Sequence, residues 1–186
     1  MVTIASLWLA ILLSAIVVMI ASFVVWAVLP YHKSDYSALP DEKAVREAFS
    51  AQSLPPGQYD LPHLSSREEI QRPEVRLRFE AEPTGFITIV PRGLPSMSKG
   101  VLYSWLYYLS VTVVIAFLVS GTVPADASYV TVFRVTGTIA WLAFAAGGVP
   151  SAIWFGRPWK DVGKQVLDAF IYAVILGGVF GWLWPA

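Results

Sequence analysis

Between residues 4 and 29 the chain carries no Asp, Glu, Lys or Arg. No other feature limits the fold so strongly. At about 1.5 Å of rise per residue, a helix of this length crosses a hydrocarbon core of about 30 Å with some tilt. A secretory signal peptide is the poorer reading, because its apolar core runs only about 7–15 residues behind a basic stretch. Here Met1, Val2 and Thr3 carry no basic side chain, and no small-residue cleavage site follows. Residues 1–30 are therefore read as a retained first transmembrane helix.

Three more apolar runs follow. Residues 101–123 form the second, closed by Pro124 and opened by Tyr103, Trp105, Tyr107 and Tyr108, which suit an interfacial aromatic belt. Residues 129–150 form the third, expected to stop at Pro150. Residues 163–185 form the fourth, with Trp182 and Trp184 at the far end. Short connections make antiparallel neighbours the simplest packing. The expected fold is a mostly α membrane protein, a four-span transmembrane helix bundle. Composition agrees: only 14% of the 186 residues are charged, and mean hydropathy is +0.60, where soluble domains carry about 25% charged residues.

The basic residues set an orientation. All but one of the 13 Lys and Arg lie either between the first and second spans or at Arg157, Lys160 and Lys164 between the third and fourth. With four spans these two segments share one side. The positive-inside rule then places residues 31–100 and 151–162 in the cytoplasm and both termini outside. The chain contains no Asn, hence no N-glycosylation acceptor, which fits a plasma membrane of the bacterial inner-membrane kind. The lipid bilayer is the first expected partner.

Residues 31–100 are the only long polar stretch and read as a small α+β cytoplasmic insertion. Nine basic side chains face ten acidic ones there, so no basic surface for nucleic acid is expected. Pro40-Asp41-Glu42 opens a helix to about Gln52, with Val45 and Phe49 on one face. Residues 58–61 read as a short strand. Ser66 and Glu69 have the spacing of a capping box. From Glu74 to Glu82 apolar and charged residues alternate strictly, which predicts a half-buried strand. The turn at Pro83-Thr84-Gly85 then leads into a partner strand at 86–90. The expectation is a β-hairpin packed on the Val45/Phe49 helix. A module of this size has little core of its own, so it is expected to lean on the membrane or on a second copy.

Some residues stand out against these backgrounds. Arg134 lies inside the third span, where a central Arg costs about 2.5–3.5 kcal/mol. It reads either as a snorkelling side chain paired with Asp126 or as an ion or anionic-ligand contact. Asp168 lies early in the fourth span with Tyr172 one turn on. It reads either as a carboxylate held by Lys164, one turn back on the same face, or as a proton or cation site. A direct Arg134–Asp168 bridge is not expected, since the two enter from opposite sides. Trp154, Arg157, Trp159 and Lys160 interleave aromatic and basic side chains and suit the headgroup layer, or the rim of a site for an anionic lipid or quinone-like ring. Gly177 and Gly181 have the GxxxG spacing that lets helices approach closely, within one chain or between two. His32 and Asp35 follow the first span directly, and with His63 they make a weak candidate for metal ligands.

Cysteine is absent, which removes disulfides, thiolate metal sites and cysteine nucleophiles together. No hydrolase, zinc-protease or nucleotide-binding motif is found, and no cofactor is expected. The leading functional expectation is a non-enzymatic accessory, scaffold or interaction subunit, as a homo-oligomer or in a larger membrane complex. The alternatives are a small oligomeric transporter or channel using Asp168 and Arg134, and a membrane enzyme acting on a lipid-soluble substrate. The enzyme would need His32, Asp35, His63 and Arg157 to converge.

Overall fold

The structure is a computed structural model that describes residues 2–185. It is mostly helical, and four of its helices are long and apolar enough to cross a membrane: Ile4–Val28, Met97–Thr122, Tyr129–Phe155 and Trp159–Trp182. The first begins with a 3₁₀ turn, Ile4–Leu7, continues as α1 (Trp8–Phe23), and ends in a π turn, Val24–Val28. Pro30 then opens a 3₁₀ segment, Pro30–Ser34, where its missing N–H leaves no helical bond unmade.

α4 (Met97–Thr122), α5 (Tyr129–Ala145), α6 (Gly148–Phe155) and α7 (Trp159–Trp182) complete the long helices. Pro150 does not end the third run, as its sequence suggests. The helix ends at Ala145, Ala146 and Gly147 form a turn, and Pro150 sits in the first turn of α6, where a proline costs no intrahelical hydrogen bond. The loop expected at 151–162 accordingly shrinks to residues 156–158. Gly156 takes a left-handed φ of +66° there, a conformation glycine adopts without steric cost.

The centre of this unit buries Leu7, Ile115, Leu176 and Phe180, and its helix contacts add small residues. On α1, Trp8, Leu12, Ile16 and Ile20 face outward one turn apart, while the smaller Ala10, Ser14, Ala15 and Val18 are buried. Large apolar side chains outside and small ones between helices suit association in lipid, where close backbone approach is the main gain. α5 and α7 show it most clearly. A Cβ on Gly177 would lie 2.9 Å from the Phe133 carbonyl oxygen, and one on Gly181 would lie 2.8 Å from the Tyr129 ring. Gly177 and Gly181 are thus placed at a helix contact inside one chain.

The second compact unit comprises Tyr36–Leu94 with Ile153–Gly156. It contains α2 (Glu42–Ala51), β1 (Gly57–Leu61), a 3₁₀ turn Arg67–Gln71, α3 (Pro73–Ala81) and β2 (Gly85–Ile89). The Asp41 carboxylate caps α2 by accepting from the Ala44 N–H at 2.9 Å. Glu69 reaches back to the Ser65 N–H at 3.1 Å, one residue earlier than a capping box from Ser66 requires.

The strand expected at 74–82 is helix α3. Pro73 sits at its start with Glu74 in the first turn, and Glu, Arg, Leu and Ala are all good helix formers. Alternation dictates a strand only where one face is buried. Here Leu77 and Phe79 both stay exposed, so local propensity decides. The expected hairpin goes with it. β2 pairs antiparallel with β1, in the register Gly57↔Ile89 to Leu61↔Gly85, and the chain between the two strands forms the Arg67–Gln71 turn and α3. Among the described side chains of residues 36–94 none is buried. The core expected between a hairpin and α2 is not formed, and Val45 and Phe49 are only half-buried.

Candidate functional site

The 3₁₀ segment after the first long helix lies against the early turns of α7. Proline and the short, tightly wound segment turn Tyr31, His32 and Asp35 toward that helix. On α7, Lys164 and Asp168 are one turn apart and share a face. Two rungs connect the segments. Asp35 takes Lys164, and Asp168 takes both Tyr31 and His32. Asp168 is therefore not held by Lys164, contrary to its sequence spacing, because His32 and Asp35 enter from a distant part of the chain and each offers a closer partner.

His32 is the centre of this cluster. Its Nδ1 lies 2.6 Å from an Asp35 oxygen and its Nε2 lies 3.0 Å from an Asp168 oxygen. The Trp26 indole, carried on the π turn, stacks on the imidazole at 3.8 Å between centroids and 8° between planes. The His32, Asp35 and Asp168 side chains are 5%, 7% and 4% exposed. Lys164 Nζ also donates to the Tyr31 carbonyl at 2.5 Å and to Ser34 Oγ at 2.9 Å, and Lys160 reaches the same Ser34 hydroxyl at 3.2 Å. Ser34 is exposed, so the chain of contacts begins at the surface and ends at a buried carboxylate.

Geometry limits the proton count. A neutral imidazole has one N–H and one lone pair, so it satisfies only one of two carboxylates unless one of them is protonated. The doubly protonated ring satisfies both. Both arrangements, a doubly protonated ring between two carboxylates and a neutral ring with one carboxyl protonated, leave the buried groups hydrogen-bonded. Lys164, and after it His32, hold the Asp35 carboxyl below the usual Asp range. Burial, and then the hydrogen bond to Asp168, push the Tyr31 phenol above its usual range.

Asp168 also lines a cavity of about 280 Å³ together with Trp26, Tyr107, Tyr108, Phe144, Arg157, Gln165, Ala169 and Tyr172. Tyr108, Phe144 and Tyr172 meet edge to face at 5.8–6.0 Å, a favoured aromatic geometry. Tyr108 donates to Ser22 Oγ at 2.7 Å, whereas the buried Tyr172 hydroxyl has no hydrogen-bond partner. Arg157 donates to Gln165 Oε1 at 2.8 Å, so it belongs to the cavity wall as well as to the aromatic–basic run that flags it in sequence. Trp154 and Trp159 are exposed.

Arg134 stands apart from this site. It is exposed, it lines a separate groove with Phe133, Trp141 and Phe170, and among the described residues it makes no ion pair. His63 pairs with Asp60 in the other unit at 2.7 Å, so the three ligands of the metal reading are not joined. Among the described residues no group of three or more His, Cys, Asp or Glu is placed to hold a metal ion. Sequence reasoning missed Tyr31, Trp26 and Gln165, and it treated His32–Asp35 and Lys164–Asp168 as two separate pairs. The signal that joins them is topological: in a four-span reading, the end of the first span and the start of the fourth lie at the same side. No protein-family model, curated protein or solved structure matches the chain.

Proposed function

We propose that this chain is a multi-pass integral membrane protein of the small proton-coupled transport class, with its basic segments cytoplasmic and both termini outside. The four long apolar helices support the membrane assignment, and the distribution of Lys and Arg supports the orientation. The observation that carries the transport reading is His32 held between two buried carboxylates. Ionisable groups at membrane depth are costly, and they are the usual constituents of proton paths. A proton entering near Ser34 and Asp35 has a route through the two ring nitrogens of His32 to Asp168, which faces the cavity. Asp35 and Lys164 form the fixed ion pair, His32 is the relay, and Asp168 is the terminal proton site. Arg134 has no part in it.

The test uses the fact that the chain has two histidines. His63→Gln removes the exposed one, and ¹⁵N-histidine labelling then reports on His32 alone in lipid nanodiscs. The expected result is a ring protonated on both nitrogens that loses one proton on raising the pH from 5 to 9. A ring fixed in one state across that range makes the cluster a static tie between helices. Transport itself is tested in vesicles with a trapped pH dye and an imposed potential. Wild type should pass protons and Asp168→Asn, reconstituted to the same level, should not. Vesicles with no wild-type flux overturn the transport class.

The interaction-subunit reading keeps one observation of its own. Residues 36–94 bury no described side chain, yet they expose Leu39, Leu61, Ile70, Leu77, Phe79 and Phe86. Apolar side chains collected on one small unit suit contact with a second protein or a second copy. Purification in mild detergent separates the cases: a stoichiometric foreign protein supports an accessory subunit, and a homo-oligomer alone removes it.

A further inference from the structure

We infer that the cavity beside Asp168 binds a flat, lipid-soluble ring carrying carbonyl oxygens, the chemical class of the alkylated quinones. The inference deepens the proton-coupled reading by naming what lies at the inner end of the relay.

Shape comes first. The walls are aromatic, from Trp26, Tyr107, Tyr108, Phe144 and Tyr172, and the volume of about 280 Å³ accepts a ring rather than a folded chain. Trp26 and Tyr107, at the rim, are 49% and 50% exposed on helices that are long and apolar enough to span a membrane. An opening flanked by exposed aromatic rings on such helices gives a ligand dissolved in lipid a sideways entry, with its tail left outside.

The polar inventory decides the chemistry. Asp168 would suit a cation, but its two oxygens already accept from Tyr31 and His32. The other free polar groups of the cavity are donors. Tyr172 is 6% exposed and its hydroxyl has no partner. Ser22 and Tyr108 lie near it, but no hydrogen bond joins it to either. Gln165 gives its carbonyl oxygen to Arg157, which leaves its amide N–H groups to donate. Arg157 has five N–H donors and no acceptor. A buried donor without an acceptor costs stability, and a ligand that brings acceptor oxygens relieves that cost. Ring carbonyls in the plane of a flat ring meet both requirements: oxygens for the donors and faces for the aromatic walls. An organic cation would meet the aromatic walls but would face Arg157 as a like charge and would share Asp168 with Tyr31 and His32.

The experiment measures binding of decylubiquinone to the full chain in nanodiscs by tryptophan quenching, with decyltrimethylammonium as the matched cation. The expected result is saturable quinone binding, quenching reduced in Trp26→Phe, and affinity weakened about fivefold or more in Tyr172→Phe and in Gln165→Leu. Tyr172→Phe keeps the ring and its packing, so it tests the hydroxyl with little risk to folding. Quinone binding that neither substitution changes, no quinone binding, or tighter binding of the ammonium each overturns the inference. Loss of the quinone result while His32 still titrates removes the ligand class and leaves the relay. Quinone binding with a non-titrating His32 removes the relay and leaves the ligand.

Discussion

The molecule contains two His–Asp pairs with the same local geometry. His32 and Asp35 lie 2.6 Å apart at a spacing of three residues, and His63 and Asp60 lie 2.7 Å apart at the same spacing. In the first pair the side chains are 5% and 7% exposed, and in the second 71% and 45%. Water screens the second pair, and exposed pairs of this kind contribute little. The first pair has lost its water, so every charge in it must be answered by protein. Lys164 and Asp168 supply the answer from more than a hundred residues along the chain. A His–Asp contact is thus not a site in itself. Burial turns it into one by forcing the addition of a second carboxylate, a lysine and a stacked indole, and so linking two distant segments.

The largest expected effect breaks the comparison at Asp168. Asp168→Ala leaves the Tyr31 hydroxyl and His32 Nε2 without their acceptor. Removing one partner of a buried, hydrogen-bonded ionic group costs about 3–5 kcal/mol, read as a lower midpoint of thermal or detergent unfolding. Asp60→Ala, the matching change at the exposed pair, should leave the midpoint unchanged. Equal losses at the two positions would show that burial is not what separates them.

The next effect sharpens the contrast between packed and open backbone. Gly177→Ala drives a methyl to 2.9 Å from the Phe133 carbonyl oxygen, whereas a Cβ on Gly85 meets nothing within 4 Å. Overpacking a close helix contact costs about 1–3 kcal/mol, so Gly177→Ala should lower the unfolding midpoint. Gly85→Ala should not. If Gly177→Ala instead dissociates an oligomer while leaving the monomer's stability intact, the glycine serves an interface between chains.

These contrasts also explain what the sequence made legible. The long apolar runs could be read because membrane-length hydropathy is a sum over neighbours, which any window captures. Helix α2 could be read because Pro40, Asp41 and Glu42 act within one turn. Strand β2 could be read from its β-branched run, but its partner could not. Pairing with β1 depends on where the chain between them goes, and the alternation at 74–82 offered a nearer, false partner. The candidate site was half legible. His32, Asp35, Lys164 and Asp168 were each noticed because charge is rare near an apolar run. Their joining was not, because local spacing offered Lys164 to Asp168, and nothing local records that a segment more than a hundred residues away outcompetes it. Trp26, Tyr31 and Gln165 carried no signal at all. An indole, a phenol and an amide are ordinary at a helix end until the groups opposite them are known.

The smallest effect concerns acid titration and closes the comparison on the two aspartates themselves. Both carboxyls are held below the usual range, Asp35 first by Lys164 and then by His32, Asp60 first by His63. A folded-state value below the unfolded one, about 3.9 for Asp, means that the unfolded chain binds the proton more readily. The stabilisation is therefore present above the unfolded value and is lost as pH falls through the folded one. The stabilisation that comes from each carboxylate should accordingly be lost only under acid conditions, below about pH 4. ¹³C-carboxyl NMR on selectively labelled chain should show both midpoints below that of free Asp. Lys164→Met should raise the Asp35 midpoint and leave Asp60 alone, and His63→Gln should do the converse. An Asp35 that titrates at or above the free value in wild type would mean that the desolvation cost outweighs its two cations. The two pairs would then differ in the sign of their electrostatics as well as in their exposure.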